Sequence, residues 1–93
     1  MKKTIFKYEL KATNKQTIKL PYGSKILSVG VQGAEVYIWA LVIPDAELEE
    51  RVFEIFGTGH DIPYDIGVDR EFVGTFQISK GNIFVGHVFE RRN

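Results

Sequence analysis

The chain contains no cysteine, which excludes disulfide scaffolds, thiolate zinc sites and cysteine nucleophiles together. It also lacks an excess of charge of either sign. Twelve basic and twelve acidic residues leave a formal net charge of zero, so no long-range field draws in a nucleic-acid polymer. The same neutrality does little to keep copies of the chain apart and favours a homo-oligomer. Long hydrophobic runs are missing too. The longest, from Val36 to Pro44, falls far below what spans a bilayer. The basic start, Met1-Lys2-Lys3-Thr4-Ile5-Phe6-Lys7, is followed by no apolar stretch or small-residue cleavage site of a secretory leader. These features point to a soluble, intracellular protein without a membrane partner.

What is present is material for a core. Ninety-three residues, 44% of them hydrophobic, with seven phenylalanines, four tyrosines and one tryptophan, suit one domain over residues 1–93 and leave no room for two. The charged fraction of 26% is that of an ordinary globular chain and not of a disordered one.

Periodicity of two dominates, and helical spacing hardly occurs. Phe6, Tyr8 and Leu10 alternate with Lys7 and Glu9, as in a half-buried strand. Gln16 to Leu20 repeats the pattern, and Pro21-Tyr22-Gly23-Ser24 has turn chemistry. Leu27, Val29 and Val31 then alternate with Ser28, Gly30 and Gln32. Glu35 to Ile43 (EVYIWALVI) is nearly continuous apolar and β-branched or aromatic, which predicts a central strand covered on both faces. Its alternation sets Tyr37, Trp39 and Leu41 on one face and Val36, Ile38, Ala40 and Val42 on the other. Pro44 to Glu50 suits one helical turn or a loop equally. Arg51 to Phe56 reads as a strand. Phe72 to Ile78 and Ile83 to Arg91 read as a hairpin across Ser79-Lys80-Gly81-Asn82. About seven short strands with tight turns predict an all-β fold, an antiparallel β-sandwich or small barrel.

One long irregular stretch remains, Gly57 to Arg70, and loops of that length inside a compact domain often carry function. It opens with Gly57-Thr58-Gly59-His60. Glycines let backbone N–H groups approach a phosphate closely, and Thr58 and His60 add donors, with Arg70 as the nearby cation. The pattern is not a P-loop, since neither the lysine nor a following helix is there. Equally, it is a strand end that needs positive φ at a glycine, with His60 capping a turn. His87 sits in line with Ile83, Val85 and Phe89, where a histidine is ordinarily a satisfied core or interface residue. With two histidines in all and no paired spacing, no metal site is expected, and no cofactor. No serine lies in a nucleophile elbow. The acidic pairs Glu49-Glu50 and Asp61/Asp65 lie in hydrophilic stretches where nothing would lift a pKa. Catalysis is therefore not expected. Trp39 and Tyr37 suit core packing, or a base-stacking stripe if their face is open.

The sequence resembles a family of small proteins encoded by tailed phages and prophages. The residues that carry the resemblance are Tyr8-Glu9-Leu10, Gln16-x-Ile18-x-Leu20-Pro21-x-Gly23, Ile26-Leu27-Ser28-Val29, Trp39-Ala40-Leu41-Val42, Glu50-Arg51-x-Phe53, Phe56-Gly57-Thr58-Gly59-His60, Gly74-Thr75 and His87-Val88-Phe89-Glu90. They span nearly the whole chain, the Gly-Thr-Gly-His loop and the terminal His-Val-Phe-Glu being the most specific. The sequence departs from the pattern at Val42-Ile43-Pro44, where the family pattern has an aspartate before the proline and this chain has Ile43, and after Pro63, where its loop is longer. The resemblance brings no agreed activity and hence no functional residue. It implies a phage accessory gene acting in the host cytoplasm, of the kind that counters host defence. Two readings follow: a module that captures a small phosphorylated ligand through Gly57, Thr58, Gly59, His60 and Arg70, or one that binds a host or phage protein through a strand edge and the acidic Glu47–Glu50 segment.

Overall fold

The computed structural model describes residues 2–63 and 66–92. Among them there is no helix, and seven antiparallel strands form a two-sheet β-sandwich. The strands are β1 (Thr4–Leu10), β2 (Lys15–Pro21), β3 (Lys25–Gln32), β4 (Glu35–Val42), β5 (Leu48–Gly57), β6 (Arg70–Lys80) and β7 (Asn82–Arg91). One sheet has the order β1-β4-β3, the other β2-β5-β7-β6. The chain crosses between sheets at 11–14, at the Tyr22-Gly23-Ser24 turn and again before β5, so each sheet mixes neighbours in sequence with strands brought from afar.

Alternation builds the core. Leu10, Val36, Ile38, Ala40 and Val42 from the first sheet meet Leu20, Phe53, Ile55, Phe76 and Val88 from the second, all buried. Burying each of the larger side chains is worth about 1.5–3 kcal/mol. β3 lies against β6 and closes one side of the sandwich. The contact is tight because Gly74 has no Cβ: one placed there would lie 2.6 Å from Val29 Cγ1.

Four details differ from the sequence pattern. First, β4 is central in its sheet, but only one face is covered by a second sheet. Tyr37, Trp39 and Leu41 stay half-buried on the outside, shielded by their neighbours: Trp39 lies over Gly30, and Lys7 Nζ sits 4.5 Å from the Tyr37 ring centroid. Second, the register of β3 against β4 slips between Ile26 and Ser28. This bulge leaves Leu27 exposed while Ile26 and Val29 pack on the core, because an extra residue reverses the alternation. Third, residues 44–47 form a turn, with Ala46 N donating to Ile43 O at 3.0 Å, and β5 already begins at Leu48. Finally, β6 starts at Arg70, so Gly57 and Arg70 both belong to strands and the connection between them is 58–69.

Candidate functional site

Gly57 ends β5 opposite Gly86, on the face that looks into the sandwich. The ring of His60 folds onto it, and a Cβ at Gly57 would lie 2.7 Å from His60 Cε1. His60 N donates to Gly57 O at 3.1 Å, and Gly59 supplies the positive φ of 84° that this turn requires. Only glycine takes that backbone angle freely. Thr58 turns the other way. Its Oγ1 is 2.7 Å from His87 Nε2, while His87 Nδ1 is 2.9 Å from Thr75 Oγ1. His87 is thus satisfied at both ring nitrogens, on the outer face of the second sheet.

Arg70 lies on that outer face as well. Its Nε donates to Glu54 Oε1 at 2.7 Å and its Nη1 to Pro63 O at 3.2 Å, with the guanidinium carbon 5.8 Å from the Phe56 ring centroid. Phe56, Phe89 and Phe72 form a row of edge-on contacts beside it, with centroids 5.9 and 5.3 Å apart. The five residues expected to cradle an anion are therefore divided by the sheet: Gly57 and His60 on one face, Thr58 and Arg70 on the other, with Gly59 in the turn between them. Arg70 is neutralised by a buried carboxylate, and it holds the Pro63 carbonyl. Tyr64 and Asp65, the latter half of the Asp61/Asp65 pair, lie outside the described residues.

Two concavities mark the ends of the sandwich. The one beside His60 has a volume of about 710 Å³. Leu10, Val36, Ile55, Phe76, Ile78 and Phe84 make its walls, and Glu9, Lys11, Asn14, Glu35, His60 and Asn82 its rim. That is an apolar hollow with a mixed edge, poorly suited to an anion.

The other, of about 860 Å³, opens where β5 overhangs the end of β7, next to the turn between β2 and β3. Sequence reasoning missed it. Arg51 is its centre. The guanidinium grips Glu90 with Nε and with Nη2 (3.0 Å), reaches the Ser24 carbonyl with Nη1 (2.8 Å), and lies 3.7 Å from Glu49. Glu49 in turn accepts from Gly23 N at 2.9 Å. Glu90, only 4% exposed, also meets Arg92 at 3.4 Å, and Arg92 lies 3.6 Å from Glu71. The hydrogen bond to Glu90 raises the Arg51 pKa above its ordinary value in spite of the opposing burial, so this cation is permanent.

With Glu49, Glu71 and Glu90 engaged by Arg51 and Arg92, the cleft keeps Lys15, Lys25 and Arg91 against Glu50. Five cations against four carboxylates leave the lining one charge positive. Arg91 borders the cleft from the strand end, its side chain starting on the outer face opposite Arg70; its Nε is buried and has no hydrogen-bond partner among the described residues. Tyr22, 70% exposed, stands at the edge. The signal available in the sequence was Glu90-Arg91-Arg92 closing a strand and Arg51 inside another, but nothing local says that positions 51 and 90 meet.

Over its whole length, residues 1–93, the chain matches a domain of unknown function, DUF7352, and it belongs to that family. No curated protein and no solved structure matches it.

Proposed function

We propose that the protein is a non-catalytic binding module that captures a small phosphorylated ligand in the Arg51–Arg91–Arg92 cleft. The observation that carries this reading is Arg91 Nε at the border of the cleft, a buried donor without an acceptor among the described residues. Leaving such a group unsatisfied costs about 1–3 kcal/mol, and native proteins rarely do so without an ion, water or ligand to fill the place. A phosphate oxygen supplies the missing acceptor and meets a guanidinium fork suited to it. Tyr22 offers a ring on which a base can stack. The resemblance to tailed-phage and prophage proteins supports the wider role of a phage accessory protein in the host cytoplasm, blunting a defence by sequestering a nucleotide signal.

A protein partner is the second reading, favoured by the apolar hollow beside His60. The Glu47–Glu50 segment contributes less to it than its composition promises, since the Glu49 carboxylate is tied to Gly23 and Arg51.

Thermal-shift measurements with inorganic phosphate and with mono-, di- and cyclic nucleotides test the proposal. Wild type is expected to be stabilised by at least one nucleotide. Arg91→Leu should weaken that binding roughly 10- to 100-fold, the worth of one hydrogen bond to a charged group, and His60→Ala should leave it unchanged. A nucleotide response lost in His60→Ala and kept in Arg91→Leu would return the site to the Gly-Thr-Gly-His loop. No response to any of these anions would leave the protein-binding reading in front.

A further inference from the structure

The two sides of the sandwich are closed unequally. β3 and β6 cover one another, whereas β1 and β2 are the outer strands of their sheets on the opposite side. β2 is a guarded edge: its charges, Lys15 and Lys19, are both positive, and it ends in Pro21, devices that discourage pairing with another chain. β1 has neither proline nor bulge and pairs with β4 without interruption from Thr4 to Leu10. Phe6 is on its inner face, in the row of buried Ala40, yet is 43% exposed. An inner-face phenylalanine stays open there because no strand among the described residues flanks β1 on that side. Ile5, on the outer face, is exposed as well.

We propose that β1 is the interface of a two-fold dimer, in which β1 of a second copy adds antiparallel to it with Tyr8 opposite Tyr8. The charges select both the partner and the register. A two-fold axis normal to the sheet keeps outer residues opposite outer residues, so only registers of even offset are allowed. With Tyr8 on the axis, Lys7 of each copy faces Glu9 of the other, twice by symmetry, and Phe6 faces Leu10 on the inner side. Moving the axis by one residue sets Lys7 against Lys7, or Glu9 against Glu9. Opposite charges directly across an antiparallel pair stabilise it, and like charges do the reverse. In the single chain Lys7 bonds Gln32 over the Tyr37 ring, on the side away from the free edge, and its flexible four-carbon stem turns to Glu9 of the second copy on pairing. The result is a six-stranded sheet, β3-β4-β1-β1-β4-β3, with both Phe6 side chains covered. This dimer stands independently of the ligand cleft.

The mass of the wild-type protein, followed by light scattering across the micromolar range, is expected to be that of a dimer. Lys7→Glu alone and Glu9→Lys alone each create two like-charge rows and should raise the dimer dissociation constant roughly tenfold or more. The double exchange, Lys7→Glu with Glu9→Lys, restores opposite charges and should bring the constant back to near wild type. Because the chain has no cysteine, a single Tyr8→Cys gives a clean reporter. It should form a disulfide-linked dimer under mild oxidation, while Leu27→Cys on β3 should not. A monomeric wild type, a dimer indifferent to the single reversals, or a double exchange no tighter than the singles would each overturn the proposal.

Discussion

Arg70 reaches across β7 to Glu54, joining β6 to β5 with an Nε–Oε1 distance of 2.7 Å. Both side chains are nearly buried, though they lie on a face with no second sheet above it. Arg70 also donates to the Pro63 carbonyl, which ties the segment after Gly57 to this face.

Arg70→Ala should therefore cost about 3 kcal/mol, because it strands a buried carboxylate. Urea denaturation measures this directly. Replacing both partners, Glu54→Leu with Arg70→Met, should recover most of the loss, since an apolar pair of similar volume needs no desolvated charge. Equal destabilisation by the single and double variants would show that packing, not charge, carries the effect.

Two glycine substitutions should separate stiff from yielding neighbours. Gly74→Ala sets a Cβ against Val29 Cγ1, a β-branched side chain in a strand that has no free rotamer to retreat to. A loss of about 1–3 kcal/mol is expected, relieved when Val29→Ala is added. Gly57→Ala meets only the ring of His60, an exposed loop side chain that swings away, so its melting temperature should stay near wild type.

The hydroxyl of Thr58 is a tether to His87. Thr58→Val keeps the shape and removes the hydrogen bond, at about 1 kcal/mol. The visible result should be faster proteolytic nicking within 58–69, with the two sheets intact by circular dichroism. Unchanged nicking would assign the hold on the loop to Arg70 alone.

Burial raises the Tyr8 phenol above its ordinary value of 10.0. A raised pKa in the folded state means that the folded protein holds its proton longer than the unfolded chain does. Stability is then complete below pH 10.0 and falls as pH rises through the folded-state value. Tyr8→Phe should flatten this part of the alkaline stability profile. Thermal melts on either side of that pH, wild type against variant, provide the measurement, and parallel curves would remove Tyr8 from the account.

Much of the sandwich was legible from alternation. Val36, Ile38, Ala40 and Val42 are the buried face of β4, and Tyr37, Trp39 and Leu41 its other face, as period-two spacing requires. His87 proved satisfied, as a histidine in an apolar row ordinarily is. Leu27 was misplaced because a bulge is decided by the partner strand, not by the bulged segment. The Gly-Thr-Gly-His loop was legible as a turn with a glycine at positive φ, and Gly59 is that residue. Its division across the sheet was not, since adjacent residues at a strand end point to opposite faces.

The sequence by itself determined the class of object. Period-two patterning across the chain, without cysteine or net charge, is enough for an antiparallel sandwich or small barrel, because each strand needs only its own alternation to know which face to bury. Only the tertiary structure decided where charge gathers. Arg51 and Glu90 are 39 residues apart and look like solvated strand residues until β5 and β7 align in register. Pairing of distant strands is set by the packing of all of them together, and local composition carries no record of it.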